Sequence, residues 1–235
     1  MTWIAAVVLG GGVGNRFGGS MPKQLLTLGG RTLVEHCVAA FGRAPGVDEV
    51  LLVMPSGYAA EAAKLVGDQV SAVIAGGVTR SDSVRNALAH LTARHPAETT
   101  GVLLHDAARP LVSQRVIADC VAAVGSHDAA GTAVPTSDTI VVAEDGVMSH
   151  VPPRERLLRC QTPQCFRLSV IARAHELAAA DPDFTPTDDC GVVLRYLPEV
   201  PVHVVPGSER NVKITYPGDL AIAQTLLHAT TDEPG

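Results

Sequence analysis

Between residues 4 and 124 the chain repeats one arrangement four times: a short apolar run, a glycine-rich or acidic corner, and a segment with apolar residues at helical spacing. The apolar runs cover 4–9, 50–54, 70–75 and 100–105, lengths that suit buried strands. The first helical segment opens on a capping box, Thr32-Leu33-Val34-Glu35, and places Leu33, Val34, Cys37, Val38 and Phe41 on one face. An alanine-rich segment runs to about 66, a third helix carries Val84, Ala87, Leu88 and Leu91, and a fourth carries Val116, Ile117, Cys120, Val121 and Val124. Few folds accept that rhythm. It predicts an α/β architecture with one doubly wound, mostly parallel sheet whose ligand-binding groups gather at the carboxyl ends of the strands.

The 235 residues suit one domain over 1–230 with a frayed tail at 231–235. Hydrophobic residues make up 46% but aromatics only 3%, so the core is expected to be Ala, Val and Leu, with Cys37 part of it. A net charge of −6 argues against a nucleic-acid partner. No apolar run approaches the ~18 residues of a membrane span. Met1-Thr2-Trp3-Ile4 lacks the basic start of an export signal. The five cysteines form no CxxC pair and read as reduced thiols of a cytoplasmic protein. The nine histidines form no HExxH motif, so a structural metal is not expected.

The first corner is the richest. Six glycines lie between Gly10 and Gly19, and Arg16 and Lys23 place two fixed cations there. Such a loop turns backbone N–H groups inward on a polyphosphate. It is neither of the familiar phosphate loops. Lys23 is followed by Gln24 rather than a hydroxyl, and Phe17 stands where a dinucleotide fingerprint needs its third glycine. A second corner, Gly76-Gly77-Val78-Thr79-Arg80 with Ser83, suits a base or ribose. A third, His105-Asp106-Ala107-Ala108-Arg109, offers a carboxylate for Mg2+ carried by a polyphosphate. Asp106 could equally cap a turn, and Lys213 could simply face solvent from a strand at 211–215.

The rhythm breaks after residue 135. Residues 139–142 and 147–151 flank Ala143-Glu144-Asp145-Gly146 and read as a hairpin that projects as an arm over about 137–160. Next come Gln161-Thr162-Pro163-Gln164-Cys165 leading into a helix near 168–179, a Pro- and Asp-rich loop at 181–189, strands at 202–205 and 211–215, and a final helix opened by Pro217.

The glycine loop through Pro22-Lys23-Gln24, His105-Asp106-Ala107-Ala108-Arg109-Pro110, Asp138-Thr139-Ile140, Gln161-Thr162-Pro163-Gln164 and Asn211-Val212-Lys213-Ile214-Thr215 occur in one order along nearly the whole chain. In that order the chain resembles the cytidylyltransferases acting on 2-C-methyl-D-erythritol 4-phosphate and their relatives acting on D-ribitol 5-phosphate. The resemblance implies a homodimeric enzyme that moves CMP from CTP onto a polyol phosphate and releases pyrophosphate, with Mg2+. It implies that Arg16, Lys23, Arg154 and Lys213 are catalytic, and that Gly10, Gly11, Gly12, Gly14, Gly77, Arg80 and Ser83 join Arg16 and Lys23 around CTP. Asp106, Arg109, Thr139, Arg154, Thr162, Thr187 and Lys213 would hold the acceptor, Asp106 also serving the metal. The arm would exchange across the dimer and carry Arg154 and Thr162 to the partner's acceptor site.

Leu9-Gly10-Gly11-Gly12, Val141 after the Asp138-Thr139-Ile140 motif and Pro153 before Arg154 lean towards the ribitol branch. His105-Asp106-Ala107-Ala108-Arg109 suits the methylerythritol branch, which is the first expectation. A non-catalytic nucleotide-binding module would explain the glycine loop but not two cations, an acid and a late lysine together. A dinucleotide oxidoreductase lacks its glycine fingerprint.

Overall fold

The computed structural model describes residues 1, 3–11 and 22–229. Gly12, Gly14 and Arg16, and the tail expected at 231–235, lie outside the described residues. In chain order the strands are β1 (Trp3–Leu9), β2 (Thr27–Leu28), β3 (Arg31–Thr32), β4 (Glu49–Met54), β5 (Ala72–Ala75), β6 (Thr100–Asp106), β7 (Ala129–Pro135), β8 (Val142–Glu144), β9 (Val147–His150), β10 (Leu158–Arg167) and β11 (His203–Pro206). The helices are α1 (Leu33–Gly42), α2 (Ala59–Val66), α3 (Arg80–Thr92), α4 (Gln114–Ser126), α5 (Leu168–Ala179), α6 (Asp189–Tyr196) and α7 (Pro217–His228).

Seven strands form one sheet in the order β11-β7-β10-β6-β1-β4-β5. β1 runs parallel to β4 and β6, β4 to β5, and β11 to β7, while β10 is antiparallel to both β6 and β7. The mostly parallel, helix-flanked sheet predicted from the repeat is therefore present, with one reversed strand near its middle.

Side-chain alternation assigns each strand residue to a face. Ile4, Ala6, Val8, Leu52 and Met54 meet α1, α2 and α4 through Val34, Phe41, Ala62, Val116 and Ile117. Ala5, Val7, Leu9, Leu51 and Val53 meet α3, α5 and α6 through Val84, Leu88, Leu168, Ile171 and Val193 on the opposite face. The capping box expected at Thr32 and Glu35 forms, and Thr79 with Asp82 makes a second one that starts α3. Cys37 is fully buried, as expected of a core residue.

Four expectations change. The run at 70–75 pairs only from Ala72, and the run at 139–142 only at Val142, which opposes His150. Residues 211–215 form no strand: Ile214 N–H reaches Ala108 O (2.8 Å), while the Asn211 carbonyl accepts from the Arg109 side chain instead of a neighbouring strand. Residues 161–165 belong to β10 rather than to a lead-in to the helix. The glycine turn of the hairpin is confirmed, with φ of 49° at Asp145 and 80° at Gly146, the left-handed pair that suits a two-residue connection.

A small third cluster, Leu28, Leu33, Ile214 and Ala223, packs α7 against the β2–β3 hairpin. That packing fixes the segment bearing Lys213 beside the end of β6.

Candidate active site

Asp106 is the last residue of β6, where the parallel strands end. Its side chain is 11% exposed and sits between two cations. Arg80 Nε, at the start of α3, donates to Oδ1 at 3.1 Å, and Lys213 Nζ donates to Oδ2 at 2.7 Å. Burial alone would raise the Asp106 pKa, but Arg80 and Lys213 outweigh it and hold the carboxyl far below the usual carboxylate range.

Arg80 has a second anchor. Its Nη2 donates to Asp189 Oδ2 at 2.7 Å, and Asp189, fully buried, also bonds His175 Nε2 at 3.0 Å. Burial opposes the charge on Arg80, yet Asp189 and Asp106 together raise its pKa. Asp189 sits at the start of α6, where Gln164 Oε1 accepts from its backbone N–H at 3.0 Å. The Asp-rich loop predicted at 181–189 thus ends in a buried acid. The sequence hinted at it only through the tandem Asp188-Asp189.

A backbone relay fixes the end of β6. Asp106 N–H donates to Thr162 Oγ1 at 3.1 Å, and Thr162 Oγ1 lies 3.1 Å from His105 Nδ1. His105 Nε2 meets Arg109 O at 3.0 Å. A neutral imidazole protonated on Nε2 gives every group in this chain a partner. Burial pushes the His105 pKa down to about 4, in keeping with that neutral form.

Two cavities adjoin along this line of charges. One, of ≈ 120 Å³, is lined by Gly11, Lys23, Ser83 and Ala108 together with Arg80, Asp106 and Lys213. The other, of ≈ 230 Å³, shares those last three and adds Arg109, Cys160, Thr162, Gln164, Thr187 and Asp188 among others. Arg80, Asp106 and Lys213 therefore form a common charged wall between two chambers.

Most of the expected residues converge here. Lys23 follows the glycine loop, and its Nζ donates to Ile214 O at 2.9 Å. Gly10 N–H bonds Val53 O at 2.7 Å, and a Cβ on Gly11 would lie 2.4 Å from Ser83 Oγ, so the β1 corner runs hard against α3. Ser83 lines the smaller chamber, but its hydroxyl accepts from Gly77 N–H (3.1 Å) and donates to Thr79 O (3.0 Å), so it shapes the second glycine corner. Arg109 Nη1 donates to Asn211 O at 2.7 Å, while its Nε is buried and has no partner among the described residues. Thr187 lines the larger chamber.

Arg154 and Thr139 line neither chamber. They lie together in the exposed arm, where Arg154 Nη2 donates to Thr139 Oγ1 at 3.0 Å. Thr162 corrects an expectation: it is buried and bonded to its own chain's Asp106 and His105, so it cannot travel with the arm to a partner. Gln164 and Asp189 were missed, because their side chains serve the site from positions that read as strand and loop.

Glycine corners, cations and one acid at the ends of parallel strands, dividing the cleft into two chambers, define a nucleotidyltransferase. Residues 4–229 match the family described as 2-C-methyl-D-erythritol 4-phosphate cytidylyltransferase. The protein of that name from Thermobifida fusca is 52% identical over 234 residues, covering 95% of this chain and 93% of its own. The bifunctional ribulose 5-phosphate reductase/CDP-ribitol pyrophosphorylase of Haemophilus influenzae is 35% identical, covering 95% of this chain and 48% of its own. The solved 4-diphosphocytidyl-2C-methyl-D-erythritol synthase from Anaerococcus prevotii superposes with a TM-score of 0.84 at 25% identity, over 97% of this chain and 96% of that one. The chain belongs to the 2-C-methyl-D-erythritol 4-phosphate cytidylyltransferase family.

Proposed function

We propose that the smaller chamber takes the triphosphate of CTP and the larger one 2-C-methyl-D-erythritol 4-phosphate, and that the protein joins them with release of pyrophosphate. The observation that carries this is the shared wall, since Lys213 and Arg80 touch both chambers and each chamber has its own further cation, Lys23 or Arg109. A phosphate oxygen of the acceptor attacks the α-phosphorus of CTP, the new P–O bond forms, and the bond to the pyrophosphate oxygen breaks. The nucleophile is already ionised, so no general base is required. The obstacle is bringing two anions together, and fixed cations lower it by alignment and charge stabilisation. The Arg109 guanidinium lines the larger chamber, where it would donate to an acceptor oxygen.

No three His, Cys, Asp or Glu side chains converge among the described residues, so these offer no complete cage for a metal. Asp106 as a single carboxylate fits Mg2+ that brings its remaining oxygens from the nucleotide, and the ion would there offset charge on the phosphates. Around CTP we assign Gly10, Gly11, Gly12, Gly14, Arg16, Lys23, Gly77, Arg80 and Ser83. Around the acceptor we assign Asp106, Arg109, Thr162, Thr187 and Lys213.

The arm is read as a dimer contact bringing Thr139 and Arg154 to the partner's acceptor. Val147, Met148 and Val151 are exposed on it, and a two-stranded hairpin is marginal without a surface to cover it.

The test is pyrophosphate release from CTP with methylerythritol 4-phosphate and, in parallel, ribitol 5-phosphate. Faster turnover with the first is expected. Preference for the second would move the enzyme to the activity named for the Haemophilus relative, and no release with either would favour a nucleotide-binding module.

A further inference from the structure

A buried histidine on α5 stands two side chains behind the charged wall, and the transfer chemistry above does not use it. Leu168, Ile171, Ala174 and Ala178 form the buried stripe of α5 at helical spacing, and His175, 2% exposed, is its polar member. His175 Nε2 lies 3.0 Å from Asp189 Oδ1, and Asp189 Oδ2 accepts from Arg80 Nη2 at 2.7 Å. Arg80 Nε in turn donates to Asp106 Oδ1 at 3.1 Å. Side chains from α5, α6, α3 and β6 thus form one line that ends between the two chambers.

The geometry fixes the direction of each bond along that line. A ring nitrogen facing a carboxylate oxygen must carry the proton, so His175 Nε2 donates to Asp189. Nδ1 is buried without a partner among the described residues, and this tautomer leaves no proton stranded there. The terminal torsion of an aspartate is soft. The Asp189 backbone is held by Gln164 Oε1, which accepts from its N–H at 3.0 Å, but that bond does not set the carboxylate. His175 does: with Oδ1 held, Oδ2 is turned onto Arg80. Carboxylates on two different nitrogens then fix the plane of the Arg80 guanidinium, which lines both chambers.

We propose that His175 is a positioning residue for nucleotidyl transfer: by holding Asp189 Oδ1 it sets the orientation of Arg80 in the wall shared by the two chambers. Without it, Oδ1 becomes a buried acceptor with nothing to bond. The carboxylate can then offer both oxygens to Arg80 as a fork, an arrangement that draws Nε away from Asp106. A packing role would need only a side chain of the right volume. The positioning role needs a donor where Nε2 stands.

This inference rests on the chambers being the CTP and acceptor sites, and one of its readouts needs no turnover. Initial rates of pyrophosphate release are measured for the wild type, His175→Gln, His175→Leu, Arg80→Lys and the double variant of the last two. A glutamine amide nitrogen reaches close to the place of Nε2 and keeps the donor, whereas leucine has none. Expected are a roughly tenfold fall in kcat/KM for CTP in His175→Leu, recovery to within about threefold of the wild type in His175→Gln, and a double variant no slower than Arg80→Lys. In parallel, the Arg80 Nε–H nuclear magnetic resonance signal, assigned by its loss in Arg80→Lys, should move in His175→Leu and stay in place in His175→Gln.

Wild-type kcat/KM in His175→Leu, a glutamine variant as slow as the leucine one, losses that multiply in the double variant, or an unmoved Arg80 signal in His175→Leu would each overturn the proposal. His175→Met removes the donor with an unbranched side chain; if neither it nor His175→Leu folds, the residue serves packing and the proposal falls. Should the wild type release no pyrophosphate with either acceptor, the assignment of the chambers fails, while the Arg80 signal still reports whether His175 sets the guanidinium.

Discussion

Asp106 holds its charge because two cations flank it, and those cations hold position because Asp106 is there. Removing one partner leaves a buried charge uncompensated, which costs more than the pair contributes. Lys213→Ala should therefore fold with modestly lower stability and lose about 10²–10³ in turnover, the scale seen when a charge-stabilising donor is lost. Lys23→Ala should lose a similar factor while keeping its melting temperature, and wild-type rates in either variant would reject the assigned roles. His105 sets an acid limit. Its pKa is about 4 in the folded chain against 6.5 ordinarily, so the unfolded chain binds the extra proton between those values. Stability from this residue is full above about pH 6.5 and falls as pH drops towards 4, by on the order of 3 kcal/mol. The depressed pKa of Asp106 acts in the same direction at still lower pH. Denaturant titrations at pH 7, 5.5 and 4.5 should show that slope, and His105→Gln should flatten it.

Among the elements, the legible ones are those whose side chains have a single task. β1, β4 and β6 carry apolar runs at 4–9, 50–54 and 102–104 because both faces are covered, and α1 and α4 repeat at 3.6 because one face is buried. β10 hides because Gln161, Thr162 and Gln164 interrupt its apolar pattern: Gln161 ties down the segment at 208–211, and Thr162 and Gln164 bond the backbone of Asp106 and Asp189. Residues 211–215 mislead in the opposite way: Val212 and Ile214 alternate like a strand, but too few backbone groups pair to make a ladder. Asp189 reads as loop surface and is buried, since only folding brings Arg80 and His175 to its two oxygens. At the second glycine corner, a Cβ on Gly77 would lie 2.1 Å from Asp82 Cβ and close to its backbone. Gly77→Ala must push α3 outwards, costing about 1–3 kcal/mol and raising CTP KM through Arg80. Both are measurable by thermal melts and initial rates.

For the whole molecule, the arm and the sheet are separable. Replacing residues 139–151 by a short glycine linker should leave the melting transition of the sheet in place, while shifting the sedimentation profile to monomer and cutting turnover. A variant that sediments as the wild type would reject the proposal that the arm makes a dimer contact. The motif order was readable along the chain because each motif is a run of adjacent residues. The division of the cleft into two chambers was not, since it depends on Lys213 crossing to a strand that ends more than a hundred positions earlier.

The reversed strand gives synthesis on the ribosome a particular hazard. β6 can join β1 as soon as it emerges, yet its far edge has no neighbour until β10 follows, some fifty residues later. Throughout that interval the nascent chain carries an open strand edge with Val102, Leu103 and Leu104 at its centre, which can pair with another chain. Ribosome-bound fragments ending near residue 157 should therefore bind a holdase far more strongly than fragments extended past residue 200.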